Sequence, residues 1–220
     1  MLKKPKAFFI VSYYNENLSW LDEYTDDFLI YNKGIPVNID DPRIENVPNF
    51  GGNQIDIFRF IYEHYDDLPE LMAFVQAYPW DHCQKGVFDQ LIYNEHFTPL
   101  EYYGSTPSNT SEQRDENGGY LEINNSWYIA SHNSTFGLAC RYHSFDEFMN
   151  KYFKNYNLVE WIRFSPGSQY LIEKRQALYY SRNFWKSLME ELTEKNSTEA
   201  HIIERALWTI FQCNLIAKEF

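Results

Sequence analysis

Residues 7–13 read Ala-Phe-Phe-Ile-Val-Ser-Tyr (AFFIVSY), an apolar run that turns polar only at its end. A run with no in/out alternation is what a strand covered on both faces requires. Two more follow: Phe28–Tyr31 (FLIY), stopped by Asn32-Lys33-Gly34, and Leu71–Ala77 (LMAFVQA). Between the first two lies a short amphipathic segment, Asn17–Tyr24, with Leu18, Trp20 and Leu21 as its apolar set. Between the second and third, NQIDIFRFIYEHY (53–65) places Ile55, Phe58, Ile61, Tyr62 and Tyr65 at helical spacing. Asn49-Phe50-Gly51-Gly52 reads as the turn opening that helix, Asn53 as its cap, and Asp66-Asp67-Leu68-Pro69 as its end. Strand, helix, strand, helix, strand predicts an α/β fold, with a mostly parallel central sheet flanked by helices and right-handed crossovers.

Further along, Val87–Tyr93 reads as a short helix, and Thr106–Gly119 as a polar, turn-rich loop. Tyr120–Ala130, Val159–Phe164 and Gln169–Ile172 carry strand signals. Ser144 with Glu147 has capping-box spacing before a helix over FDEFMNKYF (145–153). Lys174–Glu194 reads as helix with a break. A last helix over 198–213 gathers Ile202, Ile203, Ala206, Leu207, Ile210 and Phe211 on one face. No repeat or linker divides the chain, so a single domain over 1–220 is expected.

Composition narrows the function. The net charge is −12 and no basic stripe is visible, which argues against a nucleic-acid partner. No apolar run approaches a membrane-spanning length. Cys83, Cys140 and Cys213 are odd in number and widely spaced, which fits a reducing, cytoplasmic setting rather than a disulfide framework. Aromatic residues make up 19% of the chain; they suit ring stacking on sugars or bases and equally a tyrosine-rich core.

In open α/β sheets, ligands bind beyond the carboxyl ends of the strands. Three such ends carry polar groups: Ser12, Tyr13, Asn15 and Glu16 after the first strand, Lys33 after the second, and Asp81-His82 after the third. Ordinary strand-end loops are polar too. Gly51-Gly52 reads either as a phosphate cradle or as a plain helix-entry turn. His82 and Cys83 are sequence neighbours and point to opposite sides, so they are no nucleophile and base. A zinc site lacks CxxC and HExxH. A hard ion such as Mg²⁺ or Mn²⁺ needs only one or two carboxylates when a diphosphate supplies the other oxygens, and Asp81, with His82 beside it, suits that role. Glu204, taken alone, reads as a solvated helix glutamate. There is no GxGxxG and no P-loop.

YNENLSWL, IYNKG, PNFGGNQIDIFRFIYEHYDDLPELMAFVQAYPWDH, FSPGSQYLI and ERALWTIF, in that order, resemble a family of glycosyltransferase-like domains. Similar units occur in large DNA viruses, and the last two stretches are similar to those of branching N-acetylglucosaminyltransferases. The resemblance implies a GT-A fold. It also implies transfer of a sugar from a nucleotide-sugar, a UDP-sugar, to a hydroxyl of a glycan or glycoprotein acceptor with inversion; the alternative is a non-catalytic nucleotide-sugar- or glycan-binding module of the same fold. A viral member would act in the host cytoplasm. By the same resemblance, Glu204 and Asp81 are the catalytic candidates. Ser12, Tyr13, Asn15, Glu16, Lys33, Gly51, Gly52 and Asn53 would hold the donor. Trp80, Ser168, Gln169 and Arg205 would hold sugar or acceptor, and Asp81 and His82 would hold Mn²⁺ or Mg²⁺. The chain departs from the family pattern in having no Asp-x-Asp, and Glu204 lies one residue further from Trp208 than in the branching enzymes. The cation for the leaving diphosphate would then be the metal, or Lys33, Arg163, Arg175 or Arg205.

Overall fold

Nine strands and seven α-helices are seen in a computed structural model describing residues 4–36, 40–101, 112–124, 140–193 and 199–220. In chain order they are β1 (Phe8–Tyr13), α1 (Leu21–Tyr24), β2 (Phe28–Asn32), β3 (Ile44–Asn46), α2 (Gln54–Glu63) and β4 (Leu71–Gln76). Then come α3 (Lys85–Leu91), β5 (Thr98–Pro99), β6 (Glu112–Arg114), β7 (Tyr120–Ile123), α4 (Phe145–Tyr152) and β8 (Trp161–Arg163). The chain finishes with β9 (Tyr170–Glu173), α5 (Lys174–Ala177), α6 (Arg182–Glu190) and α7 (Glu199–Phe211).

The main sheet has six strands in the order β3-β2-β1-β4-β9-β5. β3, β2, β1 and β4 run parallel, while β9 is antiparallel to both of its neighbours. The three apolar runs therefore form the parallel centre as expected. The strand signal at 169–172 enters as the one reversed strand, so the sheet is mixed. β3 and β5 went unread because Ile44-Glu45-Asn46 and a Thr-Pro pair are too short to carry an apolar period. β6, β7 and β8 form a separate antiparallel sheet. Of the expected loop over 106–119 and strand over 120–130, residues 106–111 and 125–130 lie outside the described residues. The described parts give β6, a turn and β7.

Alternation along the central strands feeds two cores. Ile10, Leu29, Tyr31, Met72, Phe74, Tyr170 and Ile172 face α2, α4, α6 and α7. Phe9, Val11, Ile30, Ala73, Val75 and Leu171 face α1 and α3. The first layer is two helices deep, because α6 and α7 cover α2. Residues Gln54–Ile61 of α2 are consequently all buried, Asp56 and Arg59 included. The helix read from apolar residues at helical spacing is thus enclosed over its first eight residues. α4 begins at Ser144, whose Oγ accepts the Glu147 N–H at 3.0 Å, as the capping spacing predicts. The helical signal at 17–24 shrinks to one turn because Asn17 Oδ1 takes the Ser19 N–H and holds a bend.

Trp185 of α6 joins this layer. Its ring stacks between Phe58 (centroids 6.0 Å apart) and Phe211 (5.6 Å), and Nε1 donates to the Ala177 carbonyl at 2.8 Å. Removing a large buried aromatic leaves a cavity its neighbours refill only in part. We expect Trp185→Ala to lose about 3–5 kcal/mol, seen as a lower urea midpoint at an unchanged slope.

Candidate functional site

β2 and β4 flank β1 on opposite sides, and the chain reaches them through helices on opposite faces of the sheet. The connections diverge between β1 and β4, and ligands of such sheets bind in the crevice this creates at the carboxyl ends. Two adjoining cavities lie there. The narrower, about 230 Å³, is lined by Ser12, Tyr13, Tyr14, Glu16, Lys33, Asn49, Tyr78 and Asp81. The wider, about 520 Å³, is lined by Gln54, His82, Glu112, Tyr120, Phe164, Gly167, His201, Glu204 and Arg205, among others. Gly52, Asn53 and Gln76 line both and form the ridge between them. A larger hollow of about 790 Å³ sits at the opposite end of the sheet, around Ala7, Phe8 and Leu71, away from the crevice.

The ridge is anchored from beneath by Asp56. Its Oδ2 accepts from Ser12 Oγ at 2.6 Å and pairs with Lys33 Nζ at 2.7 Å; its Oδ1 pairs with Arg59 Nη1 at 2.7 Å. Lys33 Nζ also donates to the carbonyls of Gly52 and Phe50. Burial raises the Asp56 carboxyl, opposed by Lys33, Ser12 and Arg59. Burial lowers the Lys33 ammonium, opposed by Asp56. Because an arginine does not deprotonate, Arg59 gives Asp56 a permanent counter-charge. Gly51 and Gly52 have φ of 57° and 58°, the left-handed region, and a Cβ on Gly51 would stand 2.5 Å from Leu192 Cβ. Gly51 is thus a tight-turn residue buried away from the cavities.

Several expected contacts turn inward instead. Trp80 does not face the cavities; its ring packs in an aromatic box with Trp20, Tyr24 and Phe88, with Lys85 Nζ 5.3 Å from its centroid. Gln169 is fully buried: Oε1 accepts the Gln76 N–H and Nε2 donates to the Pro79 carbonyl, both at 3.1 Å. It brackets the end of β4 rather than a ligand. Ser168 is likewise fully buried and lines neither cavity. Asn15 Oδ1 accepts the Ile35 N–H, tying the loops after β1 and β2 together. Asn53 sits at the α2 N-cap without capping it; its amide donates to the Gly167 carbonyl across the ridge.

In the wider cavity Glu204 is held, not solvated. Its side chain is 15% exposed; Oε1 accepts the Gly167 N–H at 2.7 Å and Oε2 accepts from Arg205 Nη1 at 3.0 Å. Arg205 is buried behind it, paired with Glu122 at 2.7 Å. Burial pushes the Glu122 carboxyl up, and Arg205 opposes that rise. Glu112, on β6, is a second carboxylate in this cavity. It escaped the sequence reading because a short polar strand carries no pattern, and its approach to α7 is purely tertiary.

The four cations considered for a leaving diphosphate are all engaged. Lys33 and Arg205 hold Asp56 and Glu122, Arg163 pairs with Glu101 at 2.6 Å and Asp115 at 3.1 Å, and Arg175 pairs with Glu173 on the surface. Among the described residues, Lys33 and Arg205 are the only lysine or arginine lining either cavity, against the carboxylates Glu16, Asp81, Glu112 and Glu204. No three His, Cys, Asp or Glu of the described residues gather as metal ligands. Asp81 lines the narrow cavity and His82 the adjoining wide one. Asp81 is exposed and engaged in none of the described hydrogen bonds or ion pairs. One such carboxylate fits a hard ion whose other ligands come from a bound diphosphate. No helix of the described residues is long and apolar enough to cross a membrane.

Comparison of the chain with protein-family models, curated proteins and solved structures finds no match.

The order of two stability losses tests the anchor. Asp56→Asn leaves Lys33 and Arg59 facing each other without a counter-charge, and we expect a loss of about 3–5 kcal/mol. Lys33→Met leaves the Asp56–Arg59 pair intact, and its loss in urea unfolding should be the smaller of the two. The reverse order would remove Asp56 from the centre of the cluster.

Proposed function

We propose that the protein is a GT-A-type glycosyltransferase that moves a sugar from a UDP-sugar to a hydroxyl of a glycan or glycoprotein, with inversion. One observation carries the reading: two cavities adjoin at the crevice between β1 and β4, one holding Asp81 and the other Glu204. A two-substrate transfer needs that layout, with leaving group and acceptor on either side of the migrating carbon.

The narrow cavity takes the nucleotide diphosphate. Tyr14 and Tyr78, 54% and 47% exposed at its rim, offer ring faces to a base. The amino end of α2, opening on the ridge, favours negative charge there. A Mn²⁺ or Mg²⁺ held by Asp81 would supply positive charge to the departing diphosphate oxygen, which no free lysine or arginine of the described lining offers. In the wide cavity Glu204 acts as base. Each of its oxygens keeps a lone pair beyond the hydrogen bonds to Gly167 and Arg205. As the bond from the sugar anomeric carbon to the diphosphate breaks, the acceptor oxygen bonds that carbon from the opposite face and its proton passes to Glu204. The diphosphate leaves with the bonding electron pair.

A thermal-shift screen of nucleotide-sugars with and without Mn²⁺, followed by turnover assays, tests this. Binding at a hundredfold excess over Kd adds about 2.7 kcal/mol, a rise in Tm of about 5–10 °C for a chain of this size. We expect that rise with UDP-sugars, enlarged by Mn²⁺, and Asp81→Asn should erase the Mn²⁺ increment. Glu204→Gln should retain donor binding and lose transfer. Normal transfer by that variant would move the role of base to another carboxylate, Glu112 first. Binding without turnover in the wild type would make the protein a nucleotide-sugar-binding module, and nucleotide release independent of acceptor a hydrolase.

A further inference from the structure

Gln54, the first residue of α2, is 6% exposed and yet lines the wide cavity. Its amide oxygen is buried without a hydrogen-bond partner, and none of the described hydrogen bonds uses its amide. A Cβ on Gly52 would lie 2.4 Å from that oxygen, so glycine at the ridge is what leaves room for this amide. An apolar residue would fill the same space without burying an unpartnered polar group. The position therefore calls for a ligand that completes the amide.

The chemistry of the cavity selects that ligand. Glu204 and Glu112 line it, and its one arginine, Arg205, is shared between Glu204 and Glu122, so its described lining is no anion site suited to a diphosphate. A sugar hydroxyl both donates and accepts and is neutral, which matches an amide. Phe164 lines the same cavity and offers an apolar surface to a sugar ring. Gln54 adjoins the Gly52 ridge, on the side from which a nucleotide in the narrow cavity would extend its sugar. Resting on the donor assignment above, we infer that Gln54 is a specificity-determining residue that hydrogen-bonds one hydroxyl of the transferred sugar.

The test titrates UDP, UDP-glucose, UDP-galactose and their single-deoxy sugar analogues by ligand-observed NMR, into wild type and Gln54→Met, which keeps side-chain length but not the amide. In the wild type, one deoxy analogue should bind at least about tenfold more weakly than its parent, because a site built around a hydroxyl rejects the analogue lacking it. In Gln54→Met that gap should close to within about threefold, with UDP affinity unchanged. Gln54→Leu repeats the measurement if the methionine variant unfolds. A UDP affinity that persists together with an unchanged gap in the variants, or with no gap in the wild type, overturns the role of Gln54 alone. Absence of binding of UDP and of every UDP-sugar to the wild type removes the donor assignment, and this inference with it.

Discussion

One carboxylate fixes the working end of the fold. Asp56 takes donors from Ser12 at the end of β1, Lys33 just after β2 and Arg59 one turn along α2. These are the elements that meet at the crevice, and Lys33 carries the link on to the carbonyls of the Gly51–Gly52 turn. Charges enclosed this way are costly to separate, since each would be left buried without a counter-ion. The crevice thus rests on electrostatic closure from below, while its upper surface stays open and acidic.

That division accounts for what the sequence disclosed. The parallel centre was legible because β1, β2 and β4 are covered on both faces, and burial of that kind writes itself as continuous apolar runs. The rim was legible too: Ser12, Tyr13, Glu16, Lys33, Gly52, Asn53 and Asp81 all line the narrow cavity, since strand ends lie on one edge whatever the side chains do. The direction each side chain takes was not legible. Lys33 and Arg205 read as available cations, but their partners Asp56 and Glu122 are 23 and 83 positions away in the chain. Trp80 read as a sugar platform, yet the aromatic box that claims it needs Trp20 and Phe88 folded over from α1 and α3. Aromatic richness here largely describes the packing of two cores.

The acidity of the cleft follows from the same economy of partners. With Lys33 committed to Asp56 and Arg205 shared between Glu122 and Glu204, the described lining holds more carboxylates, Glu16, Asp81, Glu112 and Glu204, than cations. Such a lining disfavours a bare anion and favours neutral polyols or an anion accompanied by a cation. Net charge, read from the sequence, points the same way; only the pairing seen in three dimensions says that Lys33 and Arg205, the lysine and arginine of the described lining, are both engaged.

Gly167 has a wider consequence. Its N–H meets Glu204, its carbonyl meets Asn53, its φ is 77°, and a Cβ would stand 2.3 Å from His82 Cδ2. Replacement of Glu204 or Asn53 alters one side of the crevice, whereas any side chain at 167 disturbs the ridge and the carboxylate together. For the lineage carrying this chain, that makes the position a bottleneck to drift: the two cavities can diversify separately only while this one residue stays bare.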